Sequence, residues 1–90
     1  MKKLLPIGSV VLLSRMEKRV MIYGRLQKEK DTDKEFDYVG CYYPDGLQDS
    51  SQILLFNQED VDVLFFVGFQ DVEEFLYRDE LEKYLSEEQN

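Results

Sequence analysis

The chain has no histidine and a single cysteine, Cys41, in its 90 residues. The missing imidazole removes the commonest general base, every histidine-based triad and every zinc site built on histidine. One cysteine excludes an internal disulfide, which fits a reducing compartment, so the expected location is the cytoplasm. A nucleophilic thiolate needs a base or a cation beside it. Cys41 therefore reads as a small buried hydrophobe within a strand. Long apolar runs are also missing: nothing approaches the ~20 residues of a membrane span. The start, MKKLLPIGSVVLL, mimics a signal peptide, but Pro6 and Gly8 interrupt it and the charged SRMEKRV follows it. No phosphate-binding glycine loop, internal repeat or low-complexity tract occurs. The alternating acids Asp31, Asp33, Glu35 and Asp37 lack the glycine and terminal glutamate of a calcium loop. Glu59, Asp60 and Asp62 read as surface charge. The expectation is no catalytic residue, no cofactor and no metal, hence no enzyme.

What is present is enough for one folded domain, residues 1–90. The apolar fraction is 43% and the aromatic fraction 13%, which opposes disorder. A chain this short buries only about two-thirds of its surface, so it gains from a partner or from homodimerisation. The net charge of −8 is uneven. Residues 1–30 hold eight Lys/Arg against two Glu, whereas residues 71–90 hold eight acids against two basic residues. The overall sign opposes nucleic acid and suits a basic protein partner.

Five short strands can be read between residues 9 and 69. They are Ser9–Leu13, Arg19–Gln27, Phe36–Pro44, Gln52–Phe56 and Val61–Phe69, the last being the most apolar and so expected at the centre. In the second strand Val20, Ile22, Gly24 and Leu26 alternate with a more polar set, Arg19, Met21, Tyr23 and Arg25. Gly24 and Gly40 lie mid-strand, where glycine marks a bulge or a close backbone approach. Pro44-Asp45-Gly46 has turn chemistry. NQED, residues 57–60, reads as a turn or a single helical turn capped by Asn57. Residues 71–88 read as a terminal helix, with Asp71 and Glu74 in capping spacing. The fold class is α+β: a small, strongly curved five-stranded antiparallel sheet, an SH3-like barrel or a rolled sheet, with a C-terminal helix. A flatter sandwich with the helix across one face is the alternative.

The helix carries two apolar stripes. Val72, Phe75 and Leu76 cluster on one side, and Tyr77, Leu81, Tyr84 and Leu85 lie roughly opposite. One helix on one sheet needs one stripe. Either the helix breaks near Arg78-Asp79 and its second half folds onto the core, or it is continuous and the second stripe is offered to a partner or a second copy. Tyr42, Tyr43 and Pro44, beside the turn, form a second candidate contact, an aromatic patch. The alternative from a different class is a small barrel binding a small ligand or nucleic acid, with Arg19, Arg25 and Lys28 near its tyrosines.

LPIGSVVLL, VMIYGRLQ, FDYVGCYYPDG and LLFNQEDVDVLFFVGFQDVEEFL, with an acidic helical end, resemble an uncharacterised Firmicutes family of small proteins, a domain of unknown function. Its members are encoded beside type VII secretion and LXG toxin genes. The resemblance implies a cytoplasmic accessory: a chaperone, adaptor or targeting factor for a secreted toxin, or a toxin immunity protein. It carries no catalytic residues.

Overall fold

The computed structural model describes residues 3–88. Met1, Lys2, Gln89 and Asn90, part of the expected 1–90 domain, lie outside them. Five strands and one helix follow in order: β1 Val10–Leu13, β2 Val20–Lys28, β3 Glu35–Tyr42, β4 Leu54–Phe56, β5 Val61–Phe66 and α1 Val72–Glu88. All strand pairs are antiparallel, in the spatial order β4-β3-β2-β1-β5. The sheet is open, so the barrel expectation gives way to an open curved sheet. β5, expected at the centre, is an edge strand.

The core lies on one face of the sheet. Val11, Val20, Ile22, Tyr38 and Phe56 pack there with Leu4 and with Leu85 of α1. Tyr38 and Phe56 oppose each other across β3 and β4, with ring centroids 5.4 Å apart. The NQED corner is a 3-10 turn over Gln58–Asp60. Its entry is held by the Asp60 carboxylate, which accepts the Asn57 N–H at 2.9 Å. Asp37 pins the corner to the sheet by accepting the Gln58 N–H at 2.8 Å.

The bulge expected at Gly24 exists, and it reverses part of the strand. Ile22 opposes Gly40 and Gly24 opposes Val39, leaving Tyr23 as an extra residue. One added residue moves every later side chain to the other face. Arg25, expected on the polar side, is therefore carried to the core face opposite Tyr38, where it is 8% exposed. A buried guanidinium needs a carboxylate. Glu74 of α1 supplies it, accepting from both terminal nitrogens at 2.8 and 2.7 Å.

The helix is unbroken from Val72 to Glu88, and its start is capped by Asp71, which accepts the Glu74 N–H at 2.9 Å. The inward residues of α1 are Glu74, Arg78, Leu81, Glu82 and Leu85, spaced three or four apart as one helical face requires. The first three turns of that face are mostly charged. Arg78 donates to the Leu4 carbonyl at 3.3 Å, and Glu82 accepts the Leu4 N–H at 2.9 Å. The Tyr38 hydroxyl accepts the Leu5 N–H at 2.8 Å. Residues 4–6 are thus clamped between sheet and helix by polar bonds. Gly68 closes the same region: a β-carbon there would sit 2.0 Å from the Ile7 carbonyl oxygen, so only glycine fits.

Candidate functional site

The polar seam turns the apolar side of the helix outward. Val72, Phe75 and Leu76 are 72%, 50% and 65% exposed, and Phe69 just before them is 80% exposed. The outcome divides the two alternatives: the helix is unbroken, as in the partner alternative, yet Leu81 and Leu85 lie on the core, as in the folded-back one. Leu85 is core, Leu81 packs against the core, and neither is free for a partner. The reason lies in Arg25: its carboxylate partner must face inward, which fixes the rotation of α1 and leaves Val72 and Leu76 in solvent. Tyr77 is exposed, with the Arg25 guanidinium 5.6 Å from its ring centroid. Tyr84 is on the surface and donates its hydroxyl to Glu35 at 3.1 Å.

On the sheet face away from α1, Gly8, Val10, Arg19, Met21, Tyr43, Phe65 and Phe66 enclose a groove of about 480 Å³. Alternation makes this face apolar: Val10 opposes Met21, while their neighbours Val11 and Val20 oppose each other in the core. Two adjacent phenylalanines reach the groove because β5 is bulged. Val10 opposes Phe66 and Val11 opposes Leu64, so Phe65 is extra and is re-aimed. Tyr43 stands at the rim, with Arg19 5.1 Å above its ring. The Tyr43–Pro44 peptide is cis, and Gly46 takes φ 75°, as the turn chemistry requires. Lys18 and Asp45, 2.8 Å apart, tie this turn to the β1–β2 turn, and the Lys18 hydrogen bond lowers the Asp45 pKa.

Of the predicted residues, Tyr43 lines the groove and Pro44 is exposed beside it, while Tyr42 is half-buried against the core. Tyr77 and Tyr84 lie on the helix, apart from this group. Phe65, Phe66 and Phe69 were not singled out, and Val72, Phe75 and Leu76 were read as one apolar stripe of the helix but not as the exposed one. The signal for the helical ones was available: Glu74, Arg78 and Glu82 repeat at helical spacing, and one of them had to answer a strand arginine. Two smaller concavities, about 310 and 230 Å³, run along α1 and are lined chiefly by charge. Among the described residues no group of three or more His, Cys, Asp or Glu is placed to hold a metal, and no helix is long and apolar enough to cross a membrane. Arg25, named above among the basic residues of the ligand-binding barrel alternative, is committed to Glu74.

The search of curated proteins and that of solved structures give no match. Residues 4–76, from the clamped N-terminal segment to the outward face of α1, match a family described as a domain of unknown function, DUF4176, and the chain belongs to that family.

Proposed function

We propose that the chain is a non-enzymatic protein-binding module, an accessory of type VII secretion that acts as chaperone, adaptor or targeting factor for a secreted LXG-type toxin in the cytoplasm. The observation that carries the binding part is the set of exposed apolar residues at the groove and on the outward side of α1, Phe65, Phe66, Phe69, Val72, Phe75 and Leu76. Exposed apolar surface on this scale marks an interaction site. It holds four phenylalanines, and aromatic anchors dominate binding energy at interfaces. The class of partner comes from the family resemblance.

The test is titration calorimetry of the chain with an LXG-type toxin of its native host, together with a pull-down from that host. Binding is expected, and Phe66→Asp should weaken it by about 30-fold or more, as loss of an aromatic anchor does. A toxin that neither binds nor is recovered removes the secretion reading.

A further inference from the structure

The groove and the outward face of α1 differ in charge. The groove is concave, with Arg19 at its rim; Arg19 is exposed and has no carboxylate partner among the described residues. The helix corner exposes Phe69, Val72, Phe75 and Leu76, with the exposed acids Asp71, Glu73, Asp79 and Glu80 beside them and one cation, Arg78, 5.4 Å from the Phe75 ring. Each surface has what the other lacks. They cannot meet within one chain, because Leu85 and the Arg25–Glu74 pair hold α1 on the core face while Val10 and Met21 open the groove on the other.

We propose that the groove is filled by the outward face of α1 from a second copy of the chain. Repeated about a two-fold axis, the contact occurs twice and closes the assembly as a dimer. The area suffices. An aromatic ring offers roughly 150–250 Å², so the exposed parts of Phe65, Phe66, Phe69 and Phe75 leave on the order of 500 Å². Val72, Leu76 and Tyr43 bring this near the ~800 Å² that each partner gives a standard interface. The charge arrangement favours a copy of this chain, since acid-flanked apolar residues meet an unpaired arginine. Pairing of two β5 edges is the weaker route, because β5 is bulged at Asp62 and at Phe65, and edge bulges oppose strand addition.

The inference rests on the groove being a docking surface, and it can fail separately from the secretion reading. The experiment is sedimentation velocity across a concentration series, on wild type, Phe66→Asp (groove spoiled, helix intact) and Leu76→Asp (helix spoiled, groove intact). Wild type is expected to be a dimer, and each variant to lose at least about 30-fold in self-association. Mixing the two variants should give a heterodimer weaker than the wild-type dimer but tighter than either variant alone, because the intact helix of one meets the intact groove of the other at one of the two contacts. Arg19→Glu should weaken the dimer by about 5-fold, as a charge reversal at an exposed rim does. Circular dichroism checks folding; if either aspartate variant is unfolded, Phe66→Ala and Leu76→Ala carry the same mixing test. Wild type that is monomeric at about 200 µM, far above the micromolar range of a standard interface, overturns the proposal. So do variants that dimerise like wild type, or a mixture that stays monomeric. A monomer that still binds the toxin sinks only the second copy. A dimer that the toxin neither binds nor dissociates sinks the secretion reading and leaves self-association standing.

Discussion

On the β2–β3 side of the sheet, Val20, Ile22 and Tyr38 have no exposure at all, whereas at the β5–α1 corner Phe66, Leu76 and Phe69 expose 60, 65 and 80%. The same chain, with equally apolar residues, buries one set and presents the other. Composition does not explain the difference; the seam between sheet and helix does. On the β2–β3 side apolar side chains meet each other. Under α1, Arg25 meets Glu74, Arg78 and Glu82 meet the Leu4 backbone, and among the described residues of the helix Leu81 and Leu85 supply the apolar contact with the core. A buried ion pair adds little net stability compared with apolar residues of similar size. What it fixes here is the rotation of the helix, and so which side chains face water.

The sharpest way to break this contrast is to leave the buried arginine alone. Glu74→Ala removes both carboxylate hydrogen bonds from a guanidinium that is 8% exposed, whose Nε lacks a partner among the described residues and which keeps the Leu5 carbonyl at 3.4 Å as an acceptor. Loss of one member of a buried pair costs about 3–5 kcal/mol, read as a lowered urea midpoint. Arg25→Met with Glu74→Leu removes both charges, and should restore stability to within about 1 kcal/mol of wild type or exceed it. If the double variant is as unstable as the single one, the seam is held by something other than this pair.

Next in size is Leu85. It sits 7% exposed among Leu4, Val11 and Tyr38. Leu85→Ala should cost about 2–4 kcal/mol, the range for a truncated core leucine. A loss below about 1 kcal/mol would mean that the end of α1 is not docked.

These two sites show what the sequence can and cannot disclose. Strand positions were legible because apolar and turn residues alternate cleanly, as in VVLL and in FDYVGCYYPDG. The bulge was legible at Gly24, but its consequence was not, since a one-residue slip reverses a face without changing any residue. Arg25 therefore stayed on the polar side in the reading and lies in the core in the structure. β5 read as central because VDVLFF is apolar throughout. An edge strand with both faces in use has the same composition, and only long-range pairing with β1 tells them apart. The helix continued because its charges serve the seam, so two stripes did not require a break. Tyr43 was found through its aromatic turn. The groove it borders was not, because it joins residues 8, 10, 21 and 66, which share no local pattern.

A smaller effect tests the buried side from within. Tyr38 has no exposure, and desolvation pushes its hydroxyl up to about 12 from the ordinary 10, against the opposing Leu5 hydrogen bond. Folding favours the neutral phenol. Its contribution is complete below pH 10, declines as pH rises from 10 and is gone above about 12. The span corresponds to roughly 2–3 kcal/mol. Lysines titrate in the same range, so the reading is a difference: the stability advantage of wild type over Tyr38→Phe should shrink across this window. Tyrosinate absorbance should show one tyrosine ionising late. An advantage that is flat with pH would mean that water reaches the hydroxyl.

The smallest expected effect completes the contrast. Leu76 and Leu85 are the same residue on the same helix, nine positions apart, yet Leu76 is 65% exposed against 7% for Leu85. Leu76→Ala removes little that the folded monomer buries, and alanine is the better helix former, so stability should move by less than about 0.5 kcal/mol. This is measured below the concentration at which copies associate. If Leu76→Ala costs as much as Leu85→Ala, the helix has turned its apolar side inward in solution. The seam of Arg25, Glu74, Arg78 and Glu82 would then not set its rotation, and the surface assigned to partners would be core. If stability holds while binding or self-association falls, the two leucines divide the helix into a half that holds the fold together and a half that the fold holds out.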